Sequence, residues 1–455
     1  MDQVEFTRMT EKGSIGLTGV SRRGLLGSLA ATGVAGCLGL VSEDTADEPT
    51  FTSGDVPWEP GTHEIPSDGW PLPRRDARRS GVAPEPIGPE PPLESLWTVA
   101  LDEGTSFRTP VVATGRVFAA NQQGGVLLAL DAETGEQLWK HVSEQWIRGS
   151  PVIADTSVYV KEGFSSNDQP NLLRALDAAT GDQEWTYELA TDEHRGSILC
   201  VSGGFVYVAA NRHLLALDAE TGEPAWRFDP GEPHRLLSSV AIGSEAVYAS
   251  AHTTRTVHYE DEGGTVFALD PVEETIDWSV EFRQAINIAL SRDVLLVRDI
   301  DELYALEAAT GEQRWQTDLR PHRWDDFSYV PLFAVDEETV YHQATSEGDA
   351  DGAAIAIVSL EDGSERTRLD LGYPDSNERT PLPTVAGNRL YTATAANPYN
   401  HWIDVIDLVT MDHLKTIKLE HPNLSLSNPG TPVVAEKKLF VTGGRGSEGL
   451  LFAFE

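Results

Sequence analysis

The sequence predicts an all-β fold, an eight-bladed β-propeller of four-stranded antiparallel blades, and three observations carry that prediction. A phrase of the form Ala-Leu-Asp-x-x-Thr-Gly-x-x-x-Trp recurs at a spacing that suits one blade per copy. Two further alternating apolar stretches precede each copy, so every repeat supplies four strands. The chain stops halfway through a copy, and an unassigned strand of the missing kind lies more than 350 residues upstream.

The phrase runs Ala129–Trp139, Ala175–Trp185, Ala216–Trp226, Ala268–Trp278 and Ala305–Trp315, with tryptophans 46, 41, 52 and 37 residues apart. An alternating strand ends at Asp131, Thr134-Gly135 makes a turn in which Gly accepts positive φ, and Trp139 lies on the returning outer strand. An indole there is wide enough to cover the gap between neighbouring sheets. Later copies decay. Glu274 replaces the Gly, Ile357–Thr367 keeps Asp362-Gly363 but loses the Trp, and Val405–Lys415 keeps only Asp407 and Thr410.

The last repeat begins at Thr431-Pro432-Val433-Val434, passes Leu439–Thr442 and stops at Ala453-Phe454-Glu455, one outer strand short. Leu93–Leu101, with Trp97, supplies that strand, so the N-terminal strand 93–101 is expected to pair with the C-terminal blade and remove the open edge. Outer strands at Trp97, Trp139, Trp185, Trp226, Trp278, Trp315, Thr367 and Lys415 then count eight blades within a domain 93–455. A ring closed on itself in this way predicts a monomer.

Composition narrows the partners. The formal charge is −38 and only seven of the 34 basic residues are lysines, with acids scattered through every repeat. Such a carboxylate layer suits strong salt, where the Debye length falls to about 3 Å at 1 M, and it disfavours nucleic acid.

The first residues form an address. Ser21-Arg22-Arg23-Gly24-Leu25-Leu26 opens a short apolar run that ends in Val34-Ala35-Gly36-Cys37. This resembles a twin-arginine export signal with a lipobox, Leu25 standing where such signals often carry Phe. It implies a signal over 1–36 with Arg22 and Arg23 as its export pair, and lipidation at Cys37. The mature chain is then expected on the outer face of the cytoplasmic membrane. Residues 37–92 form an acidic, proline-rich linker, with eleven of the 27 prolines in 38–92 and its first half a spacer. Trp70–Gly81 stands apart, with an aromatic and the cations Arg74, Arg75, Arg78 and Arg79. Cys200, in an apolar stretch, reads as a buried thiol.

The Asp-x-x-Thr-Gly-x-x-x-Trp phrase over residues 93–455 resembles the tryptophan-docking motif of quinoprotein dehydrogenases and of BamB-type assembly propellers. The dehydrogenase side of that resemblance implies pyrroloquinoline quinone (PQQ) with Ca²⁺, a catalytic Asp and often a vicinal disulfide. This chain has no adjacent cysteines and little length for the insertions that wall in that cofactor. The assembly side implies a non-catalytic lipoprotein without a cofactor.

Within each blade, the connection into the inner strand and the loop between the second and third strands emerge on one face, here the loop face. The Asp-x-x-Thr-Gly turns emerge on the other, the turn face. Arg108, Arg148, Arg195 and Arg379 each stand on a connection into an inner strand. Four guanidiniums at the channel mouth would bind a carboxylate or another anion bidentately; the alternative is that each pairs with an acid of the adjacent blade. Enlarged loops Glu162–Leu172, His252–Gly264, Gln343–Ala353 and Ala395–Trp402 are expected around the same face. Glu347, Asp349 and Asp351 lack the spacing of a Ca²⁺ loop, and the histidines show no metal-like spacing. The leading expectation is a binding or scaffold module for an envelope protein or small anionic ligand. A PQQ-dependent dehydrogenase is the alternative.

Overall fold

The computed structural model describes residues 48–455 except 55, 59–68, 84, 86, 102–106, 123, 164–169, 190–198, 211–212, 233, 235, 253–262, 284–286, 300–301, 320–332, 346–352, 372–382, 398–399, 420–429 and 446–447. Eight antiparallel sheets form the propeller, each built on four strands, which in seven of them follow sequence order. Blade 1 comprises Val111–Ala113, Arg116–Asn121, Val126–Asp131 and Gln137–Val142, and blades 2 to 7 follow along the chain to His413–Lys418. Second and third strands are buried almost throughout, because both faces of a blade pack on neighbours; outer strands alternate between buried and exposed residues.

Blade 8 closes as the truncated repeat requires. Ser95–Leu101 pairs antiparallel with Glu448–Phe454, Trp97 opposite Ala453 and Leu101 opposite Gly449. Glu94 and Glu455 extend the ladder by two backbone bonds of 2.9 and 3.0 Å. Trp97 opposite Ala453 repeats Ala129 opposite Trp139, Ala175 opposite Trp185, Ala216 opposite Trp226, Ala268 opposite Trp278 and Ala305 opposite Trp315. Thr367 opposite Ile357 and Lys415 opposite Val405 occupy the same place in the two decayed copies. A register shift sits beside this pair in all eight blades, and the extra residue turns the outer strand toward the next sheet.

The repeated phrase works as a joint between blades. Asp131 Oδ1 accepts the backbone N–H groups of Glu133 and Thr134 at 3.0 and 2.9 Å, which folds the turn and lets Gly135 take φ 71°. The indole N–H groups of Trp97, Trp139, Trp185, Trp278 and Trp315 donate to the carbonyls of Ala132, Ala178, Ala219, Ala308 and Leu360 in the following blade, at 2.8–3.1 Å. Their rings lie on Gly135, Gly181, Gly222, Gly311 and Gly363, where a Cβ would come within 2.6–2.8 Å of the indole.

The junction from blade 3 to blade 4 departs from this rule. Glu274 holds the glycine position at φ 52°, so a Cβ occupies the space the other indoles use. Among the described residues the Trp226 N–H has no hydrogen-bond partner, yet Trp226 is only 1% exposed. It is covered from outside by Thr50–Ser53, a fifth strand antiparallel to Pro224–Asp229, whose Phe51 ring lies 6.0 Å from Trp226 and 5.1 Å from Phe228. A strand therefore stands inside the stretch expected to be a spacer. The exposed indole that the missing glycine would leave is the physical reason.

Residues 70–87 seal the turn-face end of the channel. Trp70 exchanges two backbone bonds with Val112 of blade 1, at 2.7 and 2.9 Å. The carbonyls of Pro71, Ala77, Arg78, Ser80, Gly81 and Ile87 then accept from Ile153, Ile242, Leu290, Val335, Val385 and Lys437, in blades 2, 4, 5, 6, 7 and 8. Val82–Ala83 adds a short parallel pairing beside the inner strand of blade 7. Blade 3 meets the segment through apolar packing of Leu72 and Ala77. One segment thus satisfies inner-strand N–H groups that would otherwise face the channel.

The enlarged loop expected at Ala395–Trp402 is instead a hairpin, with pairing continuing to Asn397 opposite Asn400. The alternating pattern of the two strands runs on to a two-residue connection.

Two glycines give a controlled test of the joint. Gly181→Ala places a Cβ at positive φ 2.8 Å from the Trp139 ring, whereas Gly204→Ala, at φ 82°, meets nothing within 4 Å. Denaturant unfolding in high salt should show a loss of about 1–2 kcal/mol for Gly204→Ala and about 1–3 kcal/mol more for Gly181→Ala. Equal losses would remove the indole contact from the account.

Candidate functional site

Strand direction places the first-strand starts, second-strand ends and third-strand starts of every blade on the loop face, opposite the sealed end. Arg108 is fixed there by its own N–H, which donates to Ala120 O at 2.9 Å, and by the bridge of Phe107 to Asn121. Arg148 stands at the start of blade 2, just before a bulge that reaches to Val152, in which Gly149 takes φ 79°. Its Nε donates to Gly163 O at 3.2 Å and its guanidinium lies 5.3 Å from the Trp146 ring centroid.

The two guanidiniums share one region. Burial holds Arg108 below its ordinary range, and the positive charge of Arg148 pushes it further the same way. The side-chain partner of Arg108 is the neutral amide of Gln122, and its Nε is buried without a hydrogen bond. Arg108 is therefore not paired with an acid among the described residues. The buried acid of blade 2, Glu162, bonds His141 at 2.7 Å and Arg174 at 3.1 Å. Burial raises its carboxyl, but the hydrogen bonds from His141 and Arg174 prevail and hold it below the usual carboxylate range. Arg195 and Arg379 lie outside the described residues, as do Glu347, Asp349, Asp351, the export pair Arg22 and Arg23, and Cys37.

Other polar groups on this face are buried. Asn287, at the start of the inner strand of blade 5, is 0% exposed with neither carboxamide atom hydrogen-bonded among the described residues. In blade 4, His234 Nε2 lies 2.9 Å from Thr265 Oγ1, and His252 is pushed down to about 4 by burial and by the charge of His234. Asn287 carried no signal in the sequence beyond its place at a strand start.

Positive charge also marks the sealed end. Arg74 donates to Phe333 O at 2.8 Å and Pro383 O at 3.3 Å, binding the segment to blades 6 and 7. Burial, reinforced by Arg79, lowers it to about 9. Asp76, whose carboxylate accepts from Ser80 N at 2.9 Å, stands beside them as a nearby counter-charge. The cluster of arginines in 74–79 was the sequence signal for this floor.

Converging guanidiniums with fixed stems can hold a carboxylate or phosphate in a bidentate grip. Among the described residues no three His, Cys, Asp or Glu side chains gather as they would around a metal ion. The chain's two cysteines, Cys37 and Cys200, are too far apart in sequence for the vicinal disulfide that stacks on PQQ.

Comparison with known proteins agrees with this architecture. A family model described as outer membrane protein assembly factor BamB matches residues 94–198, 171–281 and 243–454. No curated protein matches by sequence. Among solved structures, a quinohemoprotein alcohol dehydrogenase from Comamonas testosteroni is similar at 14% identity and TM-score 0.62, over 85% of this chain and 80% of that one. A europium-containing methanol dehydrogenase gives 14%, 0.61, 86% and 98%, and BamB from Moraxella catarrhalis 15%, 0.54, 80% and 97%. At these identities the likeness is one of fold.

The depressed His252 gives a pH test. Its folded value of about 4 lies below the ordinary 6.5, so its contribution to stability is complete above about pH 6.5 and is lost as pH falls toward 4. Stability measured between pH 7 and 4 should fall with a slope of up to about 1.4 kcal/mol per unit from this residue. His252→Gln should flatten that limb, and an unchanged limb would contradict the burial of a neutral imidazole.

Proposed function

This chain belongs to the family of the outer membrane protein assembly factor BamB, and on that premise we propose that it is a non-catalytic, lipid-anchored propeller of the cell envelope. Its loop face binds a protein or a small anionic ligand. One observation carries this reading. On the loop face the positive charge of Arg148 adds to the burial that lowers Arg108, and Arg108 has a neutral partner, in a chain of formal charge −38. A fold that needed those cations only for packing would set a carboxylate beside Arg108, since acids abound. A repelling pair is stabilised when an anion arrives from outside.

Arg22-Arg23 and the Val34–Cys37 stretch support export in the folded state followed by acylation of Cys37, with the propeller on the outer side of the cytoplasmic membrane. The dense acidic surface suits a strongly saline medium there.

Titration calorimetry in high salt with a panel of small dicarboxylates, tricarboxylates and inorganic phosphate tests the site. Binding by the natural protein should weaken about 10- to 100-fold in Arg108→Gln and in Arg148→Gln, the equivalent of one charge-assisted hydrogen bond. Unchanged affinity in both variants would overturn the site. Dye-linked alcohol or sugar oxidation that appears on adding PQQ and Ca²⁺ would replace the reading with a dehydrogenase.

A further inference from the structure

The strand that covers Trp226 has a direction as well as a position. The outer strand of blade 3 leaves the Asp218–Gly222 turn on the turn face and reaches the loop face at Asp229. Thr50 lies opposite Asp229 and Ser53 opposite Trp226. The chain therefore enters at the loop face and runs down the rim. At the turn face, Gly54 N and Val56 N donate to Ala225 O and Pro224 O at 2.7 and 3.4 Å, and Trp58 Nε1 donates to Tyr207 OH at 2.9 Å. From there it leads to Trp70 at the sealed end of the channel.

This course is held at both ends. Phe51 fills the junction that lacks its glycine, and Trp58 fixes the exit, so the strand cannot reverse without uncovering Trp226. Cys37 precedes Thr50 by 13 residues (50 − 37), a contour of at most about 45 Å when fully extended.

We propose that Thr50–Ser53 is an orienting strap: it brings the anchored end of the chain out at the loop-face edge of blade 3, so the Arg108 and Arg148 face is turned toward the membrane. The inference rests on lipidation at Cys37, and the test separates the two.

Glu144 and Glu136 are exposed on opposite faces of blade 1, Glu144 on the loop face and Glu136 on the turn face. Glu144→Cys and Glu136→Cys variants, each carrying one fluorophore, would be reconstituted as the full lipidated protein in vesicles containing nitroxide-headgroup lipid. Cys200 does not compete for label, being 4% exposed with its thiol pushed up to about 12 by burial. Quenching should be several-fold stronger at position 144 than at 136. The difference should collapse in Phe51→Ser, which releases the strap, while circular dichroism and vesicle retention stay unchanged. Equal quenching at both faces of retained protein would overturn the orientation alone. Vesicle binding that survives Cys37→Ser, or never occurs, would overturn the anchor and the orientation with it.

Discussion

The ring depends on the backbone pairing of Ser95–Leu101 with Glu448–Phe454. Without it, the last sheet would end on an unpaired outer edge and its junction with blade 1 would have no indole. With it, Trp97 docks on Ala132 and Gly135 as the other tryptophans dock on their neighbours, so the closing joint is chemically the same as the ordinary ones. The floor is continuous with this clasp. Residues 70–87 bond the inner strands almost in blade order, and the chain then leaves the channel to become the closing strand.

This arrangement divides the molecule by face. The turn face is repetitive, sealed and stapled, with each Asp and Gly held by local hydrogen bonds that tolerate little change. Loop-face connections are free to differ, since strands rather than loops hold the blades together. Buried polar groups gather on the loop face, among them Asn121, Glu162, Asn171 and Asn287. Arg108 and Arg148 stand on the loop face, opposite the floor.

Much of the architecture was legible because it repeats. Alternation, the Asp-x-x-Thr-Gly turn and the half-finished final copy each reflect local chemistry or simple counting, and together they located the pairing of the N-terminal strand with the C-terminal blade. Arg108 and Arg148 were legible for the same reason, since each stands at an equivalent point of its blade. Features without periodicity were not. The four-residue strand at Thr50 covers Trp226 at the junction where Glu274, more than 200 residues away, stands in place of the glycine. No window of sequence contains both. The floor was visible only as a cluster of arginines, because its backbone partners belong to seven different blades. The hairpin at Asn397 carries Asn and Pro content typical of a loop, which masks a register that tertiary pairing sustains.

Hydrogen exchange in the native state tests the closure most directly. Amides of Ser95–Leu101 should exchange as slowly as those of Val126–Asp131 in the middle of blade 1, opening only when the whole ring unfolds. Fast exchange of the terminal strand, with the remaining blades protected, would show that the ring stands without its clasp and would contradict the account.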